Sequence, residues 1–174
     1  MVVLALAAGA IAFVVTEPSE DKVIDSTTAT AAASVSDTVL IKAYEDAFAA
    51  TEAIATNPKV SLNDPSLERA ITEPLLSFAR RQFADVRAQG IVYEPGGISH
   101  ARTHVVEKGA DRAVLRSCLI EKGYALQNGE RRPAPGPPGK RTSMEAIAIR
   151  DGATDTWKIS SRFPMDGGRE CDGV

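Results

Sequence analysis

Three kinds of hydrophobic patterning follow one another along the chain. Residues 1–15 (MVVLALAAGAIAFVV) are apolar throughout and carry no charged side chain. Residues 16–37 are rich in Ser, Thr, Ala and acidic side chains and show no sustained apolar period. Beyond them, Leu40, Tyr44, Ala47, Phe48 and Thr51 recur at steps of three or four, which predicts an amphipathic helix over Thr38–Thr56. Ser36 or Asp37 supplies its N-cap, and Asn57-Pro58 stops it. A second helical stretch opens with Asn63 or Asp64 as cap and Pro65 at the first helical position. Its apolar stripe is Ile71, Leu75, Phe78, Phe83 and Val86, and Pro74 inside it predicts a kink or a break into two short helices, closed by Gly90.

From Ile91 the period falls to two. Strands are expected at Ile91–Glu94, Ser99–Lys108, Arg112–Glu121, Lys140–Arg150 and Thr156–Phe163, with short hairpin connections at Gly109-Ala110-Asp111 and Asp151-Gly152-Ala153. The stretch Asn128–Lys140 (NGERRPAPGPPGK) reads as a protruding loop without regular structure, because its prolines remove ladder donors. Helices followed by an antiparallel meander is an α+β pattern, with one curved sheet wrapped around a helical layer. The concave face of such a sheet is able to enclose a pocket.

Residues 1–15 would make a helix of about 22 Å, short of the roughly 30 Å hydrocarbon core. The first basic residue is Lys22, and a basic flank lying upstream would explain the uncharged start. No cysteine lies near this segment, which excludes a lipoprotein anchor. The expected organisation is an apolar membrane anchor or signal-anchor at 1–15, a flexible tether at 16–37 and an exported α+β domain at 38–174. The alternatives to a single-pass anchor are a cleaved segment, which leaves the domain secreted, and a terminal helix buried in the core.

With 174 residues, 44% of them hydrophobic and 25% charged, the chain can bury one ordinary core. Its net charge of -3 and pI near 5.5 argue against a nucleic-acid partner, which needs a basic footprint. Two Cys and two His leave little for a metal centre, and neither a phosphate-binding glycine loop nor a nucleophile elbow occurs. Cys118 falls in mid-strand and Cys171 after the last strand, so in an oxidising compartment a disulfide between them would pin the tail to the sheet.

Candidate chemistry is sparse. His100 and His104 would share a strand face about 13 Å apart, too far for one metal ion, so both are expected to face solvent near Arg102. Tyr44, Asp46, Tyr93, His100, His104 and Trp157 are the inward candidates for a pocket, with Trp157 expected in the core and Asp46 beside Glu45 on the polar side of its helix. On the middle strand, Ala113, Leu115, Ser117 and Leu119 form one face and Val114, Arg116, Cys118 and Ile120 the other, and neither presents an acid/base pair. No catalytic residue and no cofactor is expected. Arg131, Arg132, Lys140 and Arg141 flank the proline-rich stretch as a candidate basic interaction loop for anionic lipid or an acidic partner.

Arg116-Ser117-Cys118-Leu119, Asp151–Ile159 (DGATDTWKI), Arg169-Glu170-Cys171 and the helix end Val86–Val92 carry a resemblance. Over roughly residues 37 to 172 the chain is similar to exported nuclear transport factor 2-like domains of actinobacteria, including the Mce-associated, membrane-tethered type. The resemblance implies a cone of helices on a curved sheet, an extracytoplasmic location and a binding or scaffold role with an envelope protein partner. It also allows a place in secretion, conjugation or Mce-type transport machinery. A small-molecule carrier or enzyme using the concave cavity is the alternative. Oligomeric state is left open.

Overall fold

The structure, a computed structural model, describes residues 35–96, 98–121, 124–133, 139–165 and 171–172, all within the compact unit Ala31–Val174. The expected anchor at 1–15 and nearly all of the tether lie outside the described residues. No helix among the described residues is long and apolar enough to cross a membrane.

Helix α1 (Asp37–Thr56) begins where the Ser36 hydroxyl accepts from the Val39 amide. It buries Leu40, Ala43, Tyr44, Ala47, Ala50, Thr51 and Ile54 along one face, the stripe its spacing predicts. Helix α2 (Pro65–Ala70) is capped by Asp64, whose carboxylate accepts from both the amide and the hydroxyl of Ser66. Those two bonds hold the Asp64 carboxyl below its usual pKa. The expected break falls at Pro74, after which α3 (Leu75–Ala88) runs to Gly90 at φ +68°. The apolar stripe differs from expectation at two points. Ile71 leaves the helix to form a parallel bridge with Ile159, and Phe78 is 54% exposed. Two arginines of α3 bind the preceding chain. Arg87 donates to the carbonyls of Ile54, Asn57 and Val60, which satisfies the open C-terminal end of α1. Arg80 donates to Leu62 O and pairs with Glu68.

Seven strands follow among the described residues: β1 (Ile91–Tyr93), β2 (Ile98–Lys108), β3 (Arg112–Glu121), β4 (Tyr124–Gln127), β5 (Glu130–Pro133), β6 (Lys140–Asp151) and β7 (Thr156–Pro164). They form two antiparallel sheets, β1-β4-β5 and β2-β3-β6-β7, in place of the single curved sheet expected. The two orders correspond: β1 precedes β2, β3 precedes β4 and β5 precedes β6.

The stretch Asn128–Lys140, expected to lack regular structure, is corrected in its first half. Asn128 (φ 53°) and Gly129 (φ 83°) form a two-residue turn with both angles positive, and Glu130–Pro133 pairs with Tyr124–Gln127. The Asn-Gly dipeptide is itself a hairpin signal that the surrounding prolines obscure. Residues 134–138 lie outside the described residues.

The core lies between α1 and the inner face of the four-stranded sheet. Ala113, Leu115, Ala146, Ala148, Trp157 and Ile159 meet Leu40, Tyr44, Ala47, Ala50, Ile54, Leu67 and Ile71. Alanines at 113, 146 and 148 of the sheet and at 43, 47 and 50 of α1 all belong to this core. The other face of this sheet carries the disulfide Cys118–Cys171, with Cα atoms 5.0 Å apart. Beside it, Arg102 donates to Asp172 O and Met165 N donates to Ser143 O.

Candidate functional site

Of the residues expected to line a pocket, the fold brings Tyr44 and His100 together and places the others elsewhere. His100 packs edge-on to Phe48 at 4.8 Å between ring centroids and to Tyr44 at 5.8 Å, with Nε2 3.9 Å from Glu45. Tyr44 is 1% exposed, and its hydroxyl has no hydrogen-bond partner among the described residues. Trp157 is a core residue, as expected. Asp46 is exposed and forms an i,i+4 ion pair with Lys42, which holds the Lys42 ammonium above its usual pKa.

His104 corrects the expectation of a shared face. His100 lies opposite Leu119, whereas His104 lies opposite Arg116, three residues back along a regularly paired β3. The strand β2 thus holds one extra residue between Ala101 and His104, where Arg102 takes φ 51°. One extra residue inverts the alternation, so His100 faces α1 and His104 faces the disulfide side. Thr103, bonded to the inward Ser117 hydroxyl, marks the crossing. Among the described residues no three His, Cys, Asp or Glu side chains converge as metal ligands would.

The basic residues are also separated. Arg131 and Arg132 belong to β5 and not to a loop, while Lys140 and Arg141 begin β6 in the other sheet. Arg131 makes a two-toothed pair with Glu94 at 2.8 and 2.9 Å and lies 3.8 Å above the Tyr124 ring. It thereby spans the small sheet from β5 across β4 to the end of β1, and Glu94 raises its pKa. Arg132 pairs with Glu130.

One concavity lies where α1, α3, β1, β3 and β7 meet. This cleft of about 150 Å³ is lined by Phe48, Thr51, Glu52, Ala55, Thr56, Gln82, Phe83, Tyr93, Glu94, Leu119 and Arg162. Of the residues expected there, Tyr93 alone lines it. Glu52 accepts from Gly96 N at 2.9 Å, and Glu94 is engaged by Arg131. Thr51 and Thr56 spend their hydroxyls on carbonyls of their own helix. Arg162 stands opposite Ala146 on the inner face, half-buried, and makes no ion pair or hydrogen bond with another described residue. Period two from Trp157 and Ile159 points to Ser161 and Phe163, and the extra residue at the Ile147–Ala148 register shift turns Arg162 inward instead, so the sequence carries no signal for it.

No family model matches the chain, and no curated protein matches it. Among solved structures it is similar to the crystal structure of the intermembrane space region of the chloroplast protein ARC6, with TM-score 0.58 and 12% identity over 75% of this chain and 97% of that one. A de novo β-sheet design solved by NMR matches with TM-score 0.38 and 18% identity, over 74% and 92% of the two chains. The first likeness supports the α+β architecture, helices with antiparallel sheets that do not close into a barrel. The second is too distant to support an argument.

Proposed function

We propose that the chain is a non-enzymatic extracytoplasmic binding or scaffold domain of a cell envelope, attached through residues 1–15 and a tether at 16–37. The Cys118–Cys171 disulfide carries this reading, since a bridge closing 53 residues persists in oxidising compartments. The fold it shares with a region from an intermembrane space is consistent with such a place. Within this reading the domain is a nuclear transport factor 2-like cone whose concave side is the helix-covered face. Its partner is an envelope protein, in the setting of secretion, conjugation or Mce-type transport. The carboxylates of the cleft favour binding over proton transfer, because Glu52 and Glu94 are both already engaged as acceptors.

Thiol titration of the folded protein with and without reductant, together with fractionation of the full chain, tests the location. No free thiol and a membrane pellet support it; two free thiols in a soluble fraction overturn it. Capture of an envelope protein by the disulfide-bonded domain supports the partner, and background capture with a monomer at every concentration overturns it. A second reading, a small-molecule carrier, is favoured by the cleft under α1 and by Arg162 within it.

A further inference from the structure

The walls of the cleft are mostly apolar: Phe48, Phe83, Tyr93 and Leu119 surround a space of about 150 Å³. A cavity of that size takes a single benzene-sized body. Into it the inner face of β7 presents Arg162, a half-buried guanidinium that makes no ion pair or hydrogen bond with another described residue. A half-buried guanidinium with no ion pair to another described residue keeps its donors open to an anion that enters the cleft. The guanidinium fork matches a carboxylate with two parallel hydrogen bonds. Glu52 and Glu94 also line the cleft, and two fixed carboxylates disfavour a dianion such as a phosphate monoester.

We infer that this cleft binds a small monocarboxylate with a single-ring or short-chain apolar body, its carboxylate paired with Arg162. This deepens the carrier reading and does not depend on the scaffold reading, which the thiol and fractionation measurements test separately.

The test is an NMR titration of the disulfide-bonded protein with benzoate, hexanoate and neutral benzamide, carried to about 20 mM, beyond the millimolar Kd a ligand of this size reaches. Benzoate or hexanoate is expected to saturate with shifts at Phe83, Tyr93 and the Arg162 side chain. Benzamide is expected to bind about tenfold to a hundredfold more weakly, the value of a charge-assisted pair. Arg162→Gln lowers benzoate affinity by the same factor and leaves benzamide unchanged, whereas Arg162→Lys retains part of it. Equal affinity for benzoate and benzamide overturns the inference, and so does absence of cleft shifts with both acids. If Arg162→Gln does not fold, the benzoate and benzamide pair on the unaltered protein decides alone.

Discussion

Replacing Cys171 by Ser opens the disulfide while leaving Cys118, 0% exposed, to fill its place in the sheet as a thiol. The lost quantity is then chiefly the constraint on the unfolded chain. For a closed loop of 53 residues the chain-entropy relation removes about 14 cal/mol/K, or about 4 kcal/mol at 25 °C. Against the 5–15 kcal/mol typical of a domain this is a large share. A domain of about 140 residues has a melting entropy near 0.3 kcal/mol/K, so Tm falls by about 14 °C. The Arg102 bond to Asp172 O adds little, being exposed. Urea unfolding of Cys171→Ser and of the native chain in reductant should give the same lowered midpoint, with ΔG read from each m-value. A loss under about 1 kcal/mol in both samples would refute the reasoning, because the bridge would not then restrict the unfolded ensemble as its loop length requires.

Gly90 takes φ +68°, and a Cβ there would lie 2.1 Å from the Asn128 side-chain oxygen, so Gly90→Ala is expected to cost about 1–2 kcal/mol in urea unfolding. A neutral result would show that the α3–β1 turn relaxes. Tyr44→Phe removes a buried hydroxyl without a hydrogen-bond partner among the described residues and should be neutral or stabilising by up to about 1 kcal/mol; a loss of 1 kcal/mol or more in thermal unfolding would reveal a bond. The Asp151 carboxyl, paired with Lys158 and accepting from Ala153 N, is held down at about 2. Its folded value lies below its unfolded value near 3.9, so its contribution is present above about pH 4 and lost as pH falls towards 2. The stability difference between the native chain and Asp151→Asn should shrink across that window, and a difference constant from pH 5 to 2 would contradict the assignment.

Much of the architecture is readable locally. The spacing from Leu40 to Thr51, the caps Ser36 and Asp64, the break at Pro74 and the strand periods each act within a few residues, and each reappears in the structure. The two cysteines were legible as a pair because there were only two of them, one in mid-strand and one in the tail. The Asn-Gly turn is legible in principle but is obscured by the proline-rich run that follows it. The face occupied by His104 was not legible, since an extra residue near Arg102 inverts the alternation, and such a bulge is placed by the pairing with β3. The bond between Glu94 and Arg131 joins residues 37 apart, and the cleft draws side chains from five elements.

The sequence by itself determined the helices, their caps, the five strands other than β4 and β5, and the order of helices before strands, because periodicity and propensity are properties of neighbouring residues. Tertiary structure alone decided that the strands divide between two sheets, that Arg131 pairs with Glu94 across the small sheet, and that Arg162 faces the cleft beneath α1. Register, bulges and convergence depend on which distant segments pack together, and packing is settled by the whole core at once.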